Sequence, residues 1–399
     1  MIFNTWEFGV FAVLFFFVYW ILTPARARLW VLVAGGVIFY LASVPIYTLL
    51  IVSLAAITYV VGKLLVSIPE EQQAKRRALL AAGIAASLGA LVYFKDSNFF
   101  LTGFEQLCPR GCGHFTLSIV VPLALSFFTF EFVHFLVDVY LGKIREVRLR
   151  EFALFAMFFP TLVAGPIKRY QNFVPQIPRI VRPDSLIFTA GVYRVVMGLA
   201  KKMIIADSMT PLTQPLLTPS PLYHSAGYWV GMMAYTAKIY FDFTGYSDIA
   251  IGLSAMLGFQ ILENFDRPYW STNISEFWRR WHISLSSWIR DYIFIPLGGS
   301  RGGKARTIAN LTMVMALAGL WHGAAWHFVV WGLWHGAGLG AHRIWSRLPV
   351  KEAFARLPIV HPLSVAFTFL FVAFGWVLFA SPTLPTARAV YLSLVGGHT

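Results

Sequence analysis

The sequence predicts an all-helical protein that crosses a membrane many times. Composition is the first reason: of 399 residues, 58% are hydrophobic and 13% charged, where soluble domains average about 45–50% and about 25%. Mean hydropathy is +0.66. The second is length, because many apolar runs approach the roughly 20 residues that a spanning helix needs. The third is the 17% aromatic content, since Trp and Tyr collect at membrane interfaces. The formal net charge of +14 would point to nucleic acid in a soluble chain. Here the basic residues lie in short loops between apolar runs, which is a topology signal. Membrane lipid head groups and phosphate-bearing substrates are the expected partners, and nucleic acid is not.

In chain order the runs are Trp6–Leu22, Leu29–Ser43, Ile46–Val66, Ala78–Phe94, Phe115–Leu141, Phe152–Gly165, Leu186–Ala206, Ala226–Phe243, Ile249–Leu262, Ile308–Trp321, Trp326–Ile344 and Pro362–Ala380. The lengths predict roughly 9–12 crossings of a polytopic bundle, with short runs as re-entrant or tilted segments. The first run has no basic region before it and no A-x-A-like site after it, so it is expected to be a spanning helix rather than a cleaved leader. Arg26 and Arg28, then Lys75, Arg76 and Arg77, then Lys143, Arg145, Arg148 and Arg150 mark three loops. All three fall on the cytoplasmic side if the amino terminus is extracytoplasmic. A re-entrant Phe152–Gly165, ending at AGPIKRY, keeps Lys168, Arg169, Arg179 and Arg182 from facing outward. The loop with Cys108 and Cys112 then lies outside, where a local disulfide and two free thiols are both open. No repeat or linker divides the chain, so residues 1–399 read as a single integral membrane domain.

Several constellations could carry chemistry, because ionisable side chains among apolar runs are expensive and default to a functional reading. Glu131, His134 and Asp138 follow i, i+3, i+7 and share one helix face. They read either as cavity-lining groups or as a buried polar network that fixes helix packing. In YFDFTGYSDIAIG, Gly245 interrupts an apolar stretch, and Ser247 and Asp248 could cap a new helix. Alternatively Asp242 or Asp248 lines a cavity and orients a base. From Glu276 to Tyr292, one stripe is aromatic (Trp278, Trp281, Leu285, Trp288, Tyr292) and one basic (Arg279, His282, Ser286, Arg290). The pattern predicts an amphipathic helix in the interface. A membrane anchor explains the arginines and tryptophans but not His282, whose cationic neighbours disfavour its charged form. A neutral histidine with Arg279, Arg280 and Arg290 beside it suits an anionic acyl donor. The glycine-rich PLGGSRGGKART is not a P-loop, because it lacks the G-x-x-x-x-G-K-[ST] order.

In LAGLWHGAAWHFVVWGLWHG, His322 follows Trp321 and precedes Gly-Ala-Ala, small residues that permit close approach of a helix or substrate. His322, His327 and His335 do not have the i, i+4 spacing of a helical zinc pair. No G-x-S-x-G elbow is present. No metal site is expected.

The stretches AGPIKRYQNFVPQI, YFDFTGYSDIAIGLSAMLGF, ENFDRPYWSTNISEFWRRWHISLSSWIRDYIFIPLGGSRGG and LAGLWHGAAWHFVVWGLWHG resemble the membrane-bound O-acyltransferases, in the branch of the alginate O-acetyltransferases. The resemblance runs from MIFNTWEF to GWVLFAS. It implies a helical fold around a central funnel or tunnel in the cell inner membrane, with further carboxy-terminal helices in many members. It also implies transfer of an acyl group from a cytoplasmic thioester, such as acetyl-CoA, to hydroxyls of an extracytoplasmic polysaccharide. No cofactor is implied beyond that donor. An extracytoplasmic SGNH-type protein is the implied relay partner. The family's near-invariant histidine falls on His322 and its second motif histidine on His282. Trp281 and Ser286 fall with Arg279, Arg280 and Arg290 on the donor side, and Trp321 beside the base. The competing readings are a transporter or flippase using Glu131, His134, Asp138 and His322 as a path, and a non-catalytic scaffold. The absence of an inverted repeat weighs against many transporter folds.

Overall fold

A computed structural model describes residues 3–43, 45–107, 116–179, 184–349 and 357–397; the CPRGC segment lies outside the described residues. Regular structure among them is helical throughout. The α-helices are α1 (Trp6–Phe17), α2 (Arg28–Leu41), α3 (Pro45–Ser67), α4 (Gln73–Leu91), α5 (Ser97–Leu107), α6 (Leu125–Tyr140), α7 (Leu149–Met157), α8 (Tyr170–Phe173), α9 (Ser185–Leu199), α10 (Gln214–Leu217), α11 (Ser225–Met256), α12 (Ile274–Arg280), α13 (Ile283–Ile289), α14 (Gly303–His322), α15 (Trp326–Trp345), α16 (Val360–Ala380) and α17 (Leu384–Leu394). Three segments among the described residues are both long and apolar enough to cross a membrane alone: Pro45–Ser67, Gln73–Glu105 and Val360–Ala380. The run at Phe152–Gly165 yields only the nine-residue α7 and a short 3₁₀ turn, too short to span at 1.5 Å per residue.

The chain forms two compact units. The first comprises residues 1–199 and 245–262. Its core is aromatic, with Phe128, Phe132, Phe135, Phe152, Phe155 and Phe158 fully buried. α2 meets α7 so closely that a Cβ on Gly36 would overlap the Met157 carbonyl. α9 meets the end of α11 through two glycine pairs. A Cβ on Gly198 would stand 2.6 Å from the Gly245 carbonyl oxygen, and one on Gly252 the same distance from that of Gly191. This contact corrects the expected break at Gly245. α11 runs through it without interruption, because the missing side chain admits a neighbouring helix instead of ending its own.

The second unit comprises residues 200–244 and 263–399. Its centre is the antiparallel pair α14 and α15, joined by Gly323-Ala-Ala325. Side chains on Gly319, Gly332 or Gly336 would collide with the backbone of Phe328, Met315 and Thr312 across the pair. Small residues at such contacts let helices pack at backbone distance, and this packing fixes the end of α14, where His322 sits. α16 closes the back of α15: the Trp334 indole donates to the Phe371 carbonyl (3.0 Å), and His327 Nδ1 lies 3.0 Å from that of Leu378.

Candidate active site

The stretch around His282 is built by its caps. Asn273 accepts from the Glu276 N–H (2.9 Å) at the start of α12. The Glu276 carboxylate reaches back to the Thr272 N–H (2.9 Å) and hydroxyl (2.7 Å), a reciprocal arrangement close to a capping box. Arg280 pairs with Glu276 at 2.8 Å. The chain then leaves the helix. Trp281 is extended, and His282 is left-handed, with φ +44°. Asn264 receives the next turn: its carbonyl oxygen accepts from Ile283 N–H (2.9 Å), and its side-chain oxygen from Ser284 N–H (3.2 Å) and Oγ (2.9 Å). Asn264 therefore caps α13 from a distant position in the chain, which satisfies amides that a helix start leaves orphaned.

This kink corrects the expected continuous amphipathic helix. The segment is two seven-residue helices, and its two stripes do not persist. Trp281, Leu285 and Trp288 are buried rather than set in an interface. The His282 ring leaves the basic stripe, is 2% exposed, and packs on Phe243 at 4.6 Å. Its Nδ1 has no hydrogen-bond partner. Burial pushes its pKa down from the usual 6.5 to about 3, so the ring is neutral at physiological pH.

His322 is the last residue of α14. Its ring meets Trp321 (4.6 Å), Trp331 (5.2 Å) and Phe379 (5.1 Å), each edge-on. Trp321 also lies 6.5 Å from the His282 ring, so one indole neighbours both imidazoles. His322 lines a cavity of 260 Å³ together with Arg279, Ser286, Arg290, Trp278 and Trp331. Arg279 on α12, Ser286 on α13 and Arg290 just after it, seven and four residues apart, thus bring two guanidinium groups and a hydroxyl into one space with an imidazole. Arg290 holds Asp291 at 2.8 Å. Arg279 is exposed and has no carboxylate within ion-pair distance among the described residues.

The remaining sequence-derived site residues are placed elsewhere. Arg280 is engaged by Glu276, and Trp281 is walled in by Phe277, Tyr269 and Trp376; neither lines the cavity. The polar residues expected to line a cavity are held in pairs instead. Glu131 takes both oxygens to Lys168 Nζ (2.6 and 2.8 Å). His134 Nδ1 lies 3.0 Å from the Phe130 carbonyl, and its Nε2 accepts from the Tyr170 N–H (3.3 Å). Asp138 pairs with Lys143 (2.8 Å), Asp248 with Arg194 (2.9 Å) and Asp242 with Lys202 (2.8 Å). Glu131, His134 and Asp138 are buried and each has a partner within the first unit, an arrangement that suits a packing network. Asn264 was not singled out by sequence reasoning. Its only signal is an amide-bearing residue in the loop after α11, which is common.

A family model described as "MBOAT, membrane-bound O-acyltransferase family" matches residues 115–381. A protein of Azotobacter vinelandii named "Probable alginate O-acetylase AlgI" is 38% identical over 94% of this chain and 74% of its own length. One of the same name from Pseudomonas aeruginosa is 38% identical over 93% and 70%. A "Peptidoglycan O-acetyltransferase" of Helicobacter pylori is 33% identical over 94% and 74%. The family match takes in both histidines and every residue lining the cavity, and the chain belongs to the membrane-bound O-acyltransferases, as an acyltransferase of the membrane.

Proposed function

We propose that this protein transfers an acetyl group from acetyl-CoA, or a related acyl thioester, to hydroxyls of an extracytoplasmic polysaccharide, with His322 as general base. The observation that carries this reading is the shared cavity: His322, Arg279, Arg290 and Ser286 line one space. A hydroxyl is a weak nucleophile at neutral pH. An imidazole nitrogen of His322 takes its proton as the oxygen attacks the thioester carbonyl. A C–O bond forms, the C–S bond breaks, and the leaving thiolate recovers the proton from the imidazolium. Such general-base help is worth on the order of 10²–10⁴ in rate. Arg279 and Arg290 would hold the donor's phosphates, with guanidinium geometry suited to that anion. His282 stays neutral, and its imidazole, next to Trp321, orders the donor side of the cavity.

Relatives named for alginate and peptidoglycan O-acetylation support a polysaccharide acceptor. An SGNH-type relay protein, placement in the cell inner membrane, an extracytoplasmic amino terminus and one catalytic domain over residues 1–399 complete the proposal. The pairing of Glu131, His134 and Asp138 with internal partners weighs against the transport reading. The test is His322→Ala at normal membrane abundance, read as ester-linked acetate on the secreted polymer. Near-complete loss of acetate with unchanged polymer yield is expected. Retained acetate would overturn the assignment, and lost export with normal acetate per sugar would favour transport.

A further inference from the structure

A second cavity in the same unit, of 660 Å³, lies between the last two turns of α15 and the first three of α16. It is larger than the space around His322, and its volume is within the range of ligand sites. Its walls are mostly apolar and aromatic, including Leu363, Phe367, Phe371 and Trp345, with Thr272 and Asn273 at the start of α12, and Gly338 and Ala341 hollow out the α15 side. The hollow exists because these two residues are small: a Cβ on Gly338 would run into the Phe371 ring.

The surroundings name the occupant. α16 is one of the segments apolar enough to span a membrane. On it Leu363 and Phe367 are 58% and 74% exposed beside the groove, so the groove opens toward hydrocarbon. One end differs. There Trp345 and His342 line the groove, and Arg343, Arg347 and His361 are close in sequence, with no Asp or Glu among residues 341–349 and 357–371. Trp marks the head-group level, and clustered basic residues there favour anionic lipid.

We propose that this groove holds one acyl chain of an anionic phospholipid, its head group at the α15 carboxy-terminal end. The chain would lie against Phe371, which is stacked on Trp334 (4.8 Å) and edge-on to His335 (5.7 Å). His335 meets Trp331 (4.9 Å), which meets His322 (5.2 Å). The assignment stands apart from the acyl-transfer reading, and its test does not measure activity.

The full protein is placed in nanodiscs of phosphatidylcholine carrying a trace of phosphatidylglycerol with a photoreactive acyl chain, and labelled peptides are mapped by mass spectrometry. Label is expected on α15 and α16 in excess over α3, which also faces lipid. Ala341→Phe or Ser364→Phe, each filling the groove from one wall, should bring that excess down to the α3 level while the thermal midpoint holds. A phosphatidylcholine probe of the same chain should label less. Equal labelling of α3, α15 and α16 would mean a bulk annulus only and overturn the site. So would an excess that survives in both variants. Equal labelling by the two head groups would overturn the anionic preference.

Discussion

Glu131 in the first unit and His322 in the second are both polar side chains on apolar helices, yet their surroundings differ in kind. Glu131 is buried with Lys168 across two short hydrogen bonds, and the ammonium also stands 5.0 Å from the Phe155 ring centroid. His134 has both ring nitrogens engaged. His322 instead borders a cavity shared with two arginines and a hydroxyl. Where every polar atom is met from within, the group specifies packing. Where an imidazole and exposed guanidinium groups border open space, there is room for a substrate, as the acyl-transfer reading requires. Polarity among apolar residues flags both, and only the presence or absence of an adjoining cavity tells them apart.

The largest effect expected from breaking this contrast is on chemistry. His322→Gln should lower acyl transfer by on the order of 10²–10⁴ while the thermal midpoint in detergent moves little. Single-turnover transfer and a melting curve on one preparation check both halves. The first unit should behave in the opposite way. Lys168→Met leaves a buried carboxylate unpaired, at a cost of about 3–5 kcal/mol, so the yield of monodisperse protein should collapse. Adding Glu131→Gln should restore most of it, and the restored protein should retain transfer activity. A double variant that folds but cannot transfer would move the pair into the active machinery.

Arg279 and Arg280 sharpen the comparison inside one helix. Arg279 lines the cavity, and Arg280 is tied to Glu276. Hydrogen bonds to charged groups are worth about 1.5–3 kcal/mol, so Arg279→Ala should raise the donor KM by about tenfold or more with kcat nearly kept. Arg280 is about a third exposed, where an ion pair contributes about 0–1 kcal/mol. Arg280→Ala should leave the donor KM unchanged. Equal effects at the two positions would remove the cavity as the donor site.

What could be read from the sequence follows the same division. The helical class and His322 were legible because apolar run length and a histidine inside such a run are local signals. Arg279, Ser286 and Arg290, which border one cavity, share a stripe at i, i+7, i+11, a spacing that survives when a helix is cut into turns. The kink was not legible. The stripes run through Trp281 and His282 unbroken, and the break is made by Asn264, whose hydrogen bonds come from another part of the chain. Gly245 was misread for a related reason. A glycine in a helix is either a break or a contact, and Gly198 decides which. Lys168 lies in a loop by sequence, and nothing local pairs it with Glu131.

The smallest effect separates the backbone of His282 from its ring. Its left-handed conformation costs a non-glycine residue about 1–2 kcal/mol, a penalty glycine escapes. His282→Gly should therefore be more stable than His282→Ala by roughly that amount, although both lose the same imidazole. If the ring contributes only by packing on Phe243, the glycine variant recovers part of the transfer activity along with the stability. If the neutral imidazole itself orders the donor side of the cavity, the two variants share one low activity and differ only in melting midpoint. The second outcome is expected, because a strained backbone with an unpaired buried Nδ1 is more than packing against Phe243 requires. Strain of this kind persists where the surrounding structure enforces it, and such positions cluster at active sites. Parallel loss of stability and activity across the pair would assign His282 to the turn alone.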